Sequence, residues 1–346
     1  MQQDGNIKLD KYLELLENTI DPCFEDMKLA QWQDFLNFKQ FDPFFAFETG
    51  KDDAEFPKIP INQTFKSYEL MLLSELRNCY KCSKQKLNQI MNIRPNYGTG
   101  ILPTLFDSQL FMLDDEADTL PSVKPIGRDK IKKLLFSGEP ELTSGLGSKV
   151  LEATQFYLDT IRHYPKIKKY VWIYHPDLQG PIDVCELLWG SEIFISFYDE
   201  PDLIDDILSL ITQTYIKFMN KWYSIVGFKN PQYSSHWGYL QRGKVLLRND
   251  SLMNLSPEIY EDLIVKYDQM ILNEFGGGIH FCGKADHCIN EMIGFKNLTW
   301  IHISQPEYND MEMIIKKTRQ AEIPLAVGAR AGTYTTHIDK GVSFYV

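Results

Sequence analysis

One stretch of the sequence decides the fold: Gly276-Gly277-Gly278-Ile279-His280-Phe281-Cys282-Gly283-Lys284. The three glycines allow a sharp turn, and a short apolar strand follows them until Gly283 ends it. Side chains two positions apart on a strand point to the same face, so His280 and Cys282 are predicted to face one point in space. An imidazole and a thiolate form half of a zinc site. The alternative is that both residues are buried in the core without any function.

The composition is that of an ordinary globular protein. The chain has 346 residues, a formal net charge of −11, 44% hydrophobic residues and 24% charged residues. The acidic balance argues against a nucleic-acid or membrane partner, and no apolar run approaches the roughly 20 residues that span a bilayer. The start of the chain shows no signal peptide, and its six cysteines are too scattered for a disulfide framework. We therefore expect a cytoplasmic protein.

The first third of the chain is predicted to be helical and partly irregular. Apolar residues recur at helical spacing over residues 9–20 and again over residues 68–93. Residues 1–90 are therefore expected to form an N-terminal helical extension. The second helical stretch contains Cys79 and Cys82, a lone CxxC that no second pair follows, so it does not indicate a metal or redox site.

From about residue 145 onward, short apolar strands alternate with longer helices, which is typical of a parallel α/β fold. The predicted strands lie at residues 169–174, 245–250, 276–283, 298–303, 324–328 and 342–346. Ser256-Pro257-Glu258 predicts the start of the helix that ends at the triple glycine. Because no phosphate-binding glycine fingerprint follows a first strand, we expect a (β/α)8 TIM barrel over residues 91–346 rather than an open doubly wound sheet.

Polar residues at the predicted strand ends are the candidate site residues, because active sites of such barrels lie there. They are His175, Asp177 and Gln179, then Arg248, Asn249 and Asp250, then His280 and Cys282, and finally Ser304 and Gln305. Asn96 and Tyr97 lie in a glycine-rich loop that suits either a ligand or a simple turn. Each residue taken alone could merely order a loop, so the clustering is the stronger signal. His302 lies inside an apolar strand and is expected to be a hydrogen-bonded core histidine.

The zinc half-site has no obvious third member in the sequence. A catalytic zinc needs about three protein ligands and an open position. His287 and Cys288 are close in sequence, but they fall at the start of the next helix and are expected to point away. A zinc-bound thiol is a good nucleophile, which suits methyl transfer to or from sulfur. Without zinc, an Asp or a His in the barrel mouth could protonate or deprotonate a carbon substrate.

Several segments carry a resemblance to the uroporphyrinogen decarboxylase superfamily. They are Gly180-Pro181, Phe197-Tyr198-Asp199-Glu200-Pro201, Leu246-Leu247-Arg248-Asn249-Asp250, Leu255-Ser256-Pro257-Glu258 and Ile279-His280-Phe281-Cys282-Gly283. The resemblance covers about residues 165–330. It implies a (β/α)8 barrel with an N-terminal helical extension, and it implies a homodimer.

The superfamily has two branches that differ in their chemistry. The heme-pathway decarboxylase uses no metal and holds its substrate's carboxylates with two arginines near the N-terminus, whereas the first arginine of this chain is Arg77. The cobalamin-related methyltransferases bind zinc through a His-x-Cys and a distant Cys, and His280 and Cys282 match that motif. The distant ligand is expected near residues 325–330, but no cysteine follows Cys288. The candidates for the third zinc ligand are therefore an Asp, a Glu, His337 or Cys288.

The chain thus resembles the methyltransferase branch more closely, and we expect a zinc-dependent methyltransferase of corrinoid or one-carbon metabolism. Asp250, His280 and Cys282 are the predicted catalytic residues, and His280 and Cys282 are the predicted zinc ligands. The predicted substrate-binding residues are Asn96, Tyr97, His175, Asp177, Gln179, Arg248, Asn249 and Gln305. A small-molecule substrate and a corrinoid, free or on a carrier protein, are the implied partners. The alternatives are a metal-free decarboxylase or lyase with Asp250 or His280 as acid or base, and a non-catalytic ligand-binding barrel.

Overall fold

The computed structural model describes residues 8–39, 44–47, 54–328 and 341–345. The α-helices are α1 (Leu9–Thr19), α2 (Pro22–Leu36), α3 (Ile61–Thr64), α4 (Tyr68–Gln85), α5 (Ile101–Leu105), α6 (Arg128–Ser137), α7 (Gly147–Ile161), α8 (Pro165–Tyr170), α9 (Pro181–Trp189), α10 (Ile193–Asp199), α11 (Pro201–Val226), α12 (Pro257–Ile259), α13 (Val265–Phe275), α14 (Ile289–Ile293) and α15 (Met311–Gln320). A π-helical turn, Tyr260–Ile264, joins α12 to α13. Within the described residues, no helix combines the length and apolarity that a membrane span requires.

The strands form one parallel sheet and three smaller pairs. They are β1 (Phe44–Phe47), β2 (Asn92–Ile93), β3 (Leu110–Phe111), β4 (Ser122–Val123), β5 (Trp172–Ile173), β6 (Tyr233–His236), β7 (Tyr239–Arg242), β8 (Val245–Arg248), β9 (Gly277–Phe281), β10 (Leu298–Ile303), β11 (Leu325–Val327) and β12 (Val342–Tyr345). The parallel sheet has the order β1-β12-β11-β10-β9-β8, and β2 pairs in parallel with β5. The prediction of a parallel α/β fold is therefore confirmed. In the part of the chain that the structure describes, no backbone ladder joins β2 or β5 to the larger sheet.

The strand β1 corrects the prediction that the N-terminal region contains only helices and irregular chain. It pairs in parallel with β12, at the opposite end of the chain. The run Phe44-Phe45-Ala46-Phe47 is apolar throughout and shows no alternation, so its pattern cannot distinguish a buried strand from a helix segment. Its strand conformation depends on pairing with a distant segment, which local sequence does not report.

The predicted helix before the glycine-rich stretch is confirmed at both ends. Ser256 accepts a hydrogen bond from the backbone N–H of Ile259 (3.3 Å), and Pro257 occupies the first helical position. The helical segment ends at Gly276, which has a φ of +56°. The chain then enters β9 with all five of its residues buried, between β8 and β10.

Two glycines of β9 are required by the close approach of neighbouring groups. A Cβ atom at Gly277, whose φ is +144°, would overlap the carbonyl oxygen of Val245 in β8. A Cβ atom at Gly278 would overlap the indole of Trp300 in β10. The glycines therefore allow β9 to lie between β8 and β10 and carry His280 toward the strand ends.

We predict that Gly277→Ala destabilises the protein by at least about 2 kcal/mol, because the added methyl group meets backbone that cannot move aside. The control is Gly227→Ala, where φ is also positive (+68°) but nothing lies within 4 Å of the new methyl group. That variant is expected to lose only about 1 kcal/mol from backbone strain. Urea denaturation measures both changes, and equal losses would contradict the packing argument.

Candidate metal centre

Three possible metal ligands meet at the ends of β8 and β9. In the ladder between these strands Arg248 lies opposite His280, so Asp250, two residues later, lies alongside Cys282. The Nε2 atom of His280 is 3.4 Å from Oδ1 of Asp250 and 3.5 Å from Sγ of Cys282. The ligand atoms of the three residues all lie within 4.8 Å of one another. The backbone N–H of Cys282 also donates to Oδ1 of Asp250 (2.7 Å), which holds the carboxylate in place.

These distances fit a zinc ion. Tetrahedral coordination with bonds of 2.0–2.3 Å places neighbouring ligand atoms about 3.3–3.8 Å apart. Both distances from His280, 3.4 Å and 3.5 Å, fall in that range. One nitrogen, one sulfur and one oxygen form a donor set that zinc accepts, and three protein ligands leave a fourth position open. The three described residues are therefore compatible with a bound zinc ion.

The imidazole of His280 and the thiol of Cys282 differ in their readiness to bind a cation. Burial and the neighbouring Asp250 raise the pKa of Cys282 to about 11, so the thiol keeps its proton at neutral pH. Burial, His302 and Arg248 hold the pKa of His280 well below its ordinary value, so its imidazole is neutral. A neutral imidazole is the form that binds a metal, whereas the thiol needs a nearby positive charge to ionise.

His302 supports His280 from the adjacent strand β10. The Nδ1 atoms of the two imidazoles are 2.7 Å apart. His302 is only 3% exposed, so the prediction of a buried, hydrogen-bonded histidine is confirmed. Its contact with His280, a candidate metal ligand, was not predicted. The two residues meet only through the parallel pairing of β9 with β10, and local sequence does not show that pairing.

Gln305 and Asn309 hold the loop that follows β9. Oε1 of Gln305 accepts from the backbone N–H of Gly283 (2.7 Å). Asn309 accepts from the N–H groups of Ala285 and Asp286 and donates to the carbonyl of Gly283. Gln305, a predicted substrate-binding residue, thus stabilises the turn beside Cys282, and its contact with substrate stays a prediction.

A cleft of about 360 Å³ opens beside Asp250. Its lining includes Thr99, Gln179, Asp183, Glu186, Asp250 and Ser251. Asp183, in α9, accepts from the backbone N–H groups of Asp250 (2.9 Å) and Ser251 (2.8 Å), and Glu186 accepts from the hydroxyl of Ser251. Burial and the nearby Asp250 raise the pKa of Asp183 to about 8. Sequence reasoning missed Asp183 and Glu186, although Gly180-Pro181 at the start of α9 marked that loop.

Three further predicted site residues form a buried charge network. Asp177 pairs with Arg94 (3.1 Å) and with Arg248, and the amide of Gln179 donates to Asp177 (3.1 Å). The guanidinium of Arg248 also lies 4.6 Å from the ring centroid of Trp237. Asp177 and Arg248 are therefore paired with protein groups, although Nε of Arg248 has no hydrogen-bond partner among the described residues. Gln179 also reaches the cleft. Arg94 is a member of this network that the sequence analysis missed.

His175, Asn96 and Tyr97 make contacts within the protein. Nε2 of His175 accepts from the N–H of Leu246 (3.0 Å), so its proton is on Nδ1, which donates to the carbonyl of Pro176 (2.8 Å). Burial lowers the pKa of His175 to about 3. The amide of Asn96 donates to Glu75 (3.3 Å), and Tyr97 is 1% exposed. Their predicted contact with substrate stays a prediction.

Two of the remaining candidates for a third zinc ligand, His287 and Cys288, lie outside the cluster of possible ligands. Cys288 is buried after the loop, and it does not belong to the cluster of possible ligands found among the described residues. The imidazole of His287 contacts the carbonyl of Leu255 (2.9 Å). His337 and residues 329–330 of the expected ligand region lie outside the described residues. Within the part of the chain that the structure describes, Asp250 is thus the residue that joins His280 and Cys282.

Asn249 anchors the strand end that carries Asp250. Its amide donates to Oδ2 of Asp268 (2.6 Å), and the hydroxyl of Tyr260 donates to the same oxygen (2.9 Å). Oδ1 of Asp268 has no hydrogen-bond partner among the residues described. Burial raises the pKa of Asp268 to about 7, against the opposing effect of the two donors. The predicted site residue Asn249 therefore faces a buried carboxyl group rather than the cleft.

The raised pKa of Asp268 predicts a pH-dependent contribution to stability. Between its ordinary value of 3.8 and about 7, the unfolded chain loses the proton that the folded state keeps, so stability falls as pH rises through this range. Asp268→Asn should remove this fall. The natural protein should lose about 3 kcal/mol of its free energy of unfolding between pH 5 and pH 8, and the variant should not. The difference between the variant and the natural protein should therefore grow by about 3 kcal/mol in favour of the variant. Urea denaturation at both pH values measures the difference. Asp262→Asn, at an exposed position nearby, is the control, and a constant difference for Asp268→Asn would contradict the assignment.

Comparisons with known proteins give a match to a solved structure. No family model and no curated protein sequence matches this chain. Among solved structures, the chain is similar to a methyltransferase from Methanosarcina mazei, with a TM-score of 0.59 and 16% sequence identity. The match covers 83% of this chain and 77% of that chain. At this level of identity, the two proteins share a fold.

Proposed function

We propose that this protein is a zinc-dependent methyltransferase that resembles the uroporphyrinogen decarboxylase superfamily, with Asp250, His280 and Cys282 as the zinc ligands. The observation that carries the proposal is the convergence of the three ligand atoms within 4.8 Å. The shared fold with a methyltransferase from Methanosarcina mazei supports the type of reaction. Asp250 takes the place that the resemblance assigns to a distant cysteine.

The proposal includes a (β/α)8 barrel as the scaffold. Six parallel strands form one hydrogen-bonded group and two form another, which together make the number that such a barrel requires. The two groups are adjacent, since the N–H of Gly180, shortly after β5, donates to the carbonyl of Arg248 at the end of β8 (2.7 Å). This contact supports closure of the barrel on that side. The metal ligands would then lie at the C-terminal ends of the strands.

In the proposed reaction each residue has a defined task. Asp250, His280 and Cys282 hold the ion, and Gln305 orders the loop beside Cys282. A bound zinc would supply a positive charge that lowers the pKa of a thiol acceptor and makes it a nucleophile. The cleft beside Asp250 would receive a small-molecule substrate, and Glu186 and Ser251 would line its wall. A corrinoid, free or on a carrier protein, is the proposed methyl donor.

A second candidate is a metal-free decarboxylase or lyase. It is favoured by the 3.4 Å distance between His280 Nε2 and Asp250 Oδ1, together with the position of Asp250 on the cleft. The side chain of Asp250 is 43% exposed, so it could exchange a proton with a carbon substrate while His280 orients it. The metal content of the protein separates the two candidates.

We predict that protein purified without a chelator contains about one equivalent of zinc. Cys282→Ser and Asp250→Asn should each weaken zinc binding by more than about 100-fold. Loss of a residue that only hydrogen-bonds to a metal ligand already costs about 10–100-fold, and loss of a ligand itself should cost more. Cys288→Ser is the matched control, because that thiol lies outside the cluster. Metal analysis and competition with a chromophoric chelator measure the effect. Metal-free native protein that also fails to bind added zinc would contradict the proposal.

We also predict that the zinc-loaded protein transfers a methyl group from methylcobalamin to a small thiol, and that Cys282→Ser abolishes this transfer. The absorbance change of the corrinoid on demethylation measures the rate, and mass spectrometry identifies the methylated thiol. Cys288→Ser should retain the activity. Release of carbon dioxide from a carboxylic substrate by the metal-free protein would favour the second candidate instead.

A further inference from the structure

Two imidazoles face each other behind the candidate metal centre. In the parallel pairing of β9 with β10, His302 lies opposite His280. Their Nδ1 atoms are 2.7 Å apart, which is a hydrogen-bond distance. One of these nitrogens must donate and the other must accept, so one proton occupies the space between the rings.

Both rings are buried, since His280 and His302 are each 3% exposed. A neutral imidazole carries its proton on one nitrogen only. The nitrogen that carries the proton in His280 therefore depends on which ring donates across the 2.7 Å contact.

We propose that His302 is a positioning residue that accepts the Nδ1–H of His280 and thereby leaves Nε2 of His280 free to bind the metal. This inference rests on the proposed zinc site. In the opposite arrangement His302 donates, and the proton of His280 moves to Nε2. That N–H would then face Oδ1 of Asp250 at 3.4 Å and could not bind a metal. The position of the His280 proton thus distinguishes two forms of the site. With the proton on Nδ1, Nε2 can bind zinc; with the proton on Nε2, that nitrogen donates to Asp250 instead.

The packing around the two rings keeps them in this orientation. The indole of Trp237 meets His280 edge-on, with ring centroids 4.9 Å apart and an interplanar angle of 90°. The ring centroid of the same indole lies 5.5 Å from that of His302, and the ring centroid of Tyr239 lies 5.3 Å from that of His302. Rotation of either imidazole would disturb these contacts. The packing therefore holds Nδ1 of His302 in position to accept from His280. A hydrogen bond that orients a histidine ligand in this way raises its affinity for a metal.

The test compares two substitutions of His302. In His302→Asn the side-chain oxygen can take the place of the imidazole Nδ1 and keep the acceptor, whereas His302→Leu removes it. We expect zinc affinity, measured by chelator competition, to fall 10–100-fold in His302→Leu and to stay within about threefold of the natural protein in His302→Asn. The visible spectrum of the cobalt-substituted protein should change in His302→Leu and be retained in His302→Asn, which a general loss of packing would not produce.

Nitrogen NMR of the natural protein provides a measurement that does not depend on the variants folding. In the zinc-loaded protein, Nδ1 of His280 should carry a proton and Nε2 should show the shift of a metal-bound nitrogen. A spectrum with Nδ1 metal-bound or unprotonated would overturn the inference, as would equal zinc affinity in folded His302→Leu. Those results would leave the zinc site intact, whereas failure of the natural protein to bind zinc would overturn the proposed function as well.

Discussion

The parallel register between β8 and β9 is the constraint on which the candidate site depends. Because Arg248 lies opposite His280, the carboxylate of Asp250 reaches the same point as the imidazole of His280 and the thiol of Cys282. A shift of one residue would turn alternate side chains to the other face of the strand and separate the three groups. The lack of side chains at Gly277 and Gly278 permits this pairing, since a Cβ atom at either position would overlap a neighbouring strand.

The site is built on buried polar groups that are mostly matched by partners. Asp183 and Asp268 receive hydrogen bonds that hold the segment from Asn249 to Ser251, and Asp177 pairs with two arginines nearby. Such groups are costly to bury, and their hydrogen bonds and ion pairs make the geometry specific rather than adding much net stability. The raised pKa values of Asp183 and Asp268 show this cost, because burial disfavours both charges. The hydrogen bonds to Asp183 hold the backbone of Asp250 and Ser251 at the end of β8.

The sequence predicted much of the scaffold but only part of the site. Alternating strands and helices predicted a parallel α/β fold, and Ser256-Pro257 predicted a helix start, because both signals are local. The strand β1 was missed because it depends on pairing with the far end of the chain. His280 and Cys282 were identified as a pair from strand periodicity. Several predicted substrate-binding residues, such as His175 and Asn249, make hydrogen bonds within the protein that local sequence does not show, and their contact with substrate stays a prediction.

The sequence by itself determined that His280 and Cys282 share one face of a strand, because side chains on a strand alternate with a period of two. It also determined that glycines precede them, which marked a close approach of the backbone without identifying the neighbour. Only the tertiary structure decided that Asp250 joins this pair and that His302 faces His280 from behind. The reason is physical: the register of neighbouring parallel strands is set by packing across the sheet, and residues distant in sequence meet only when that register is established.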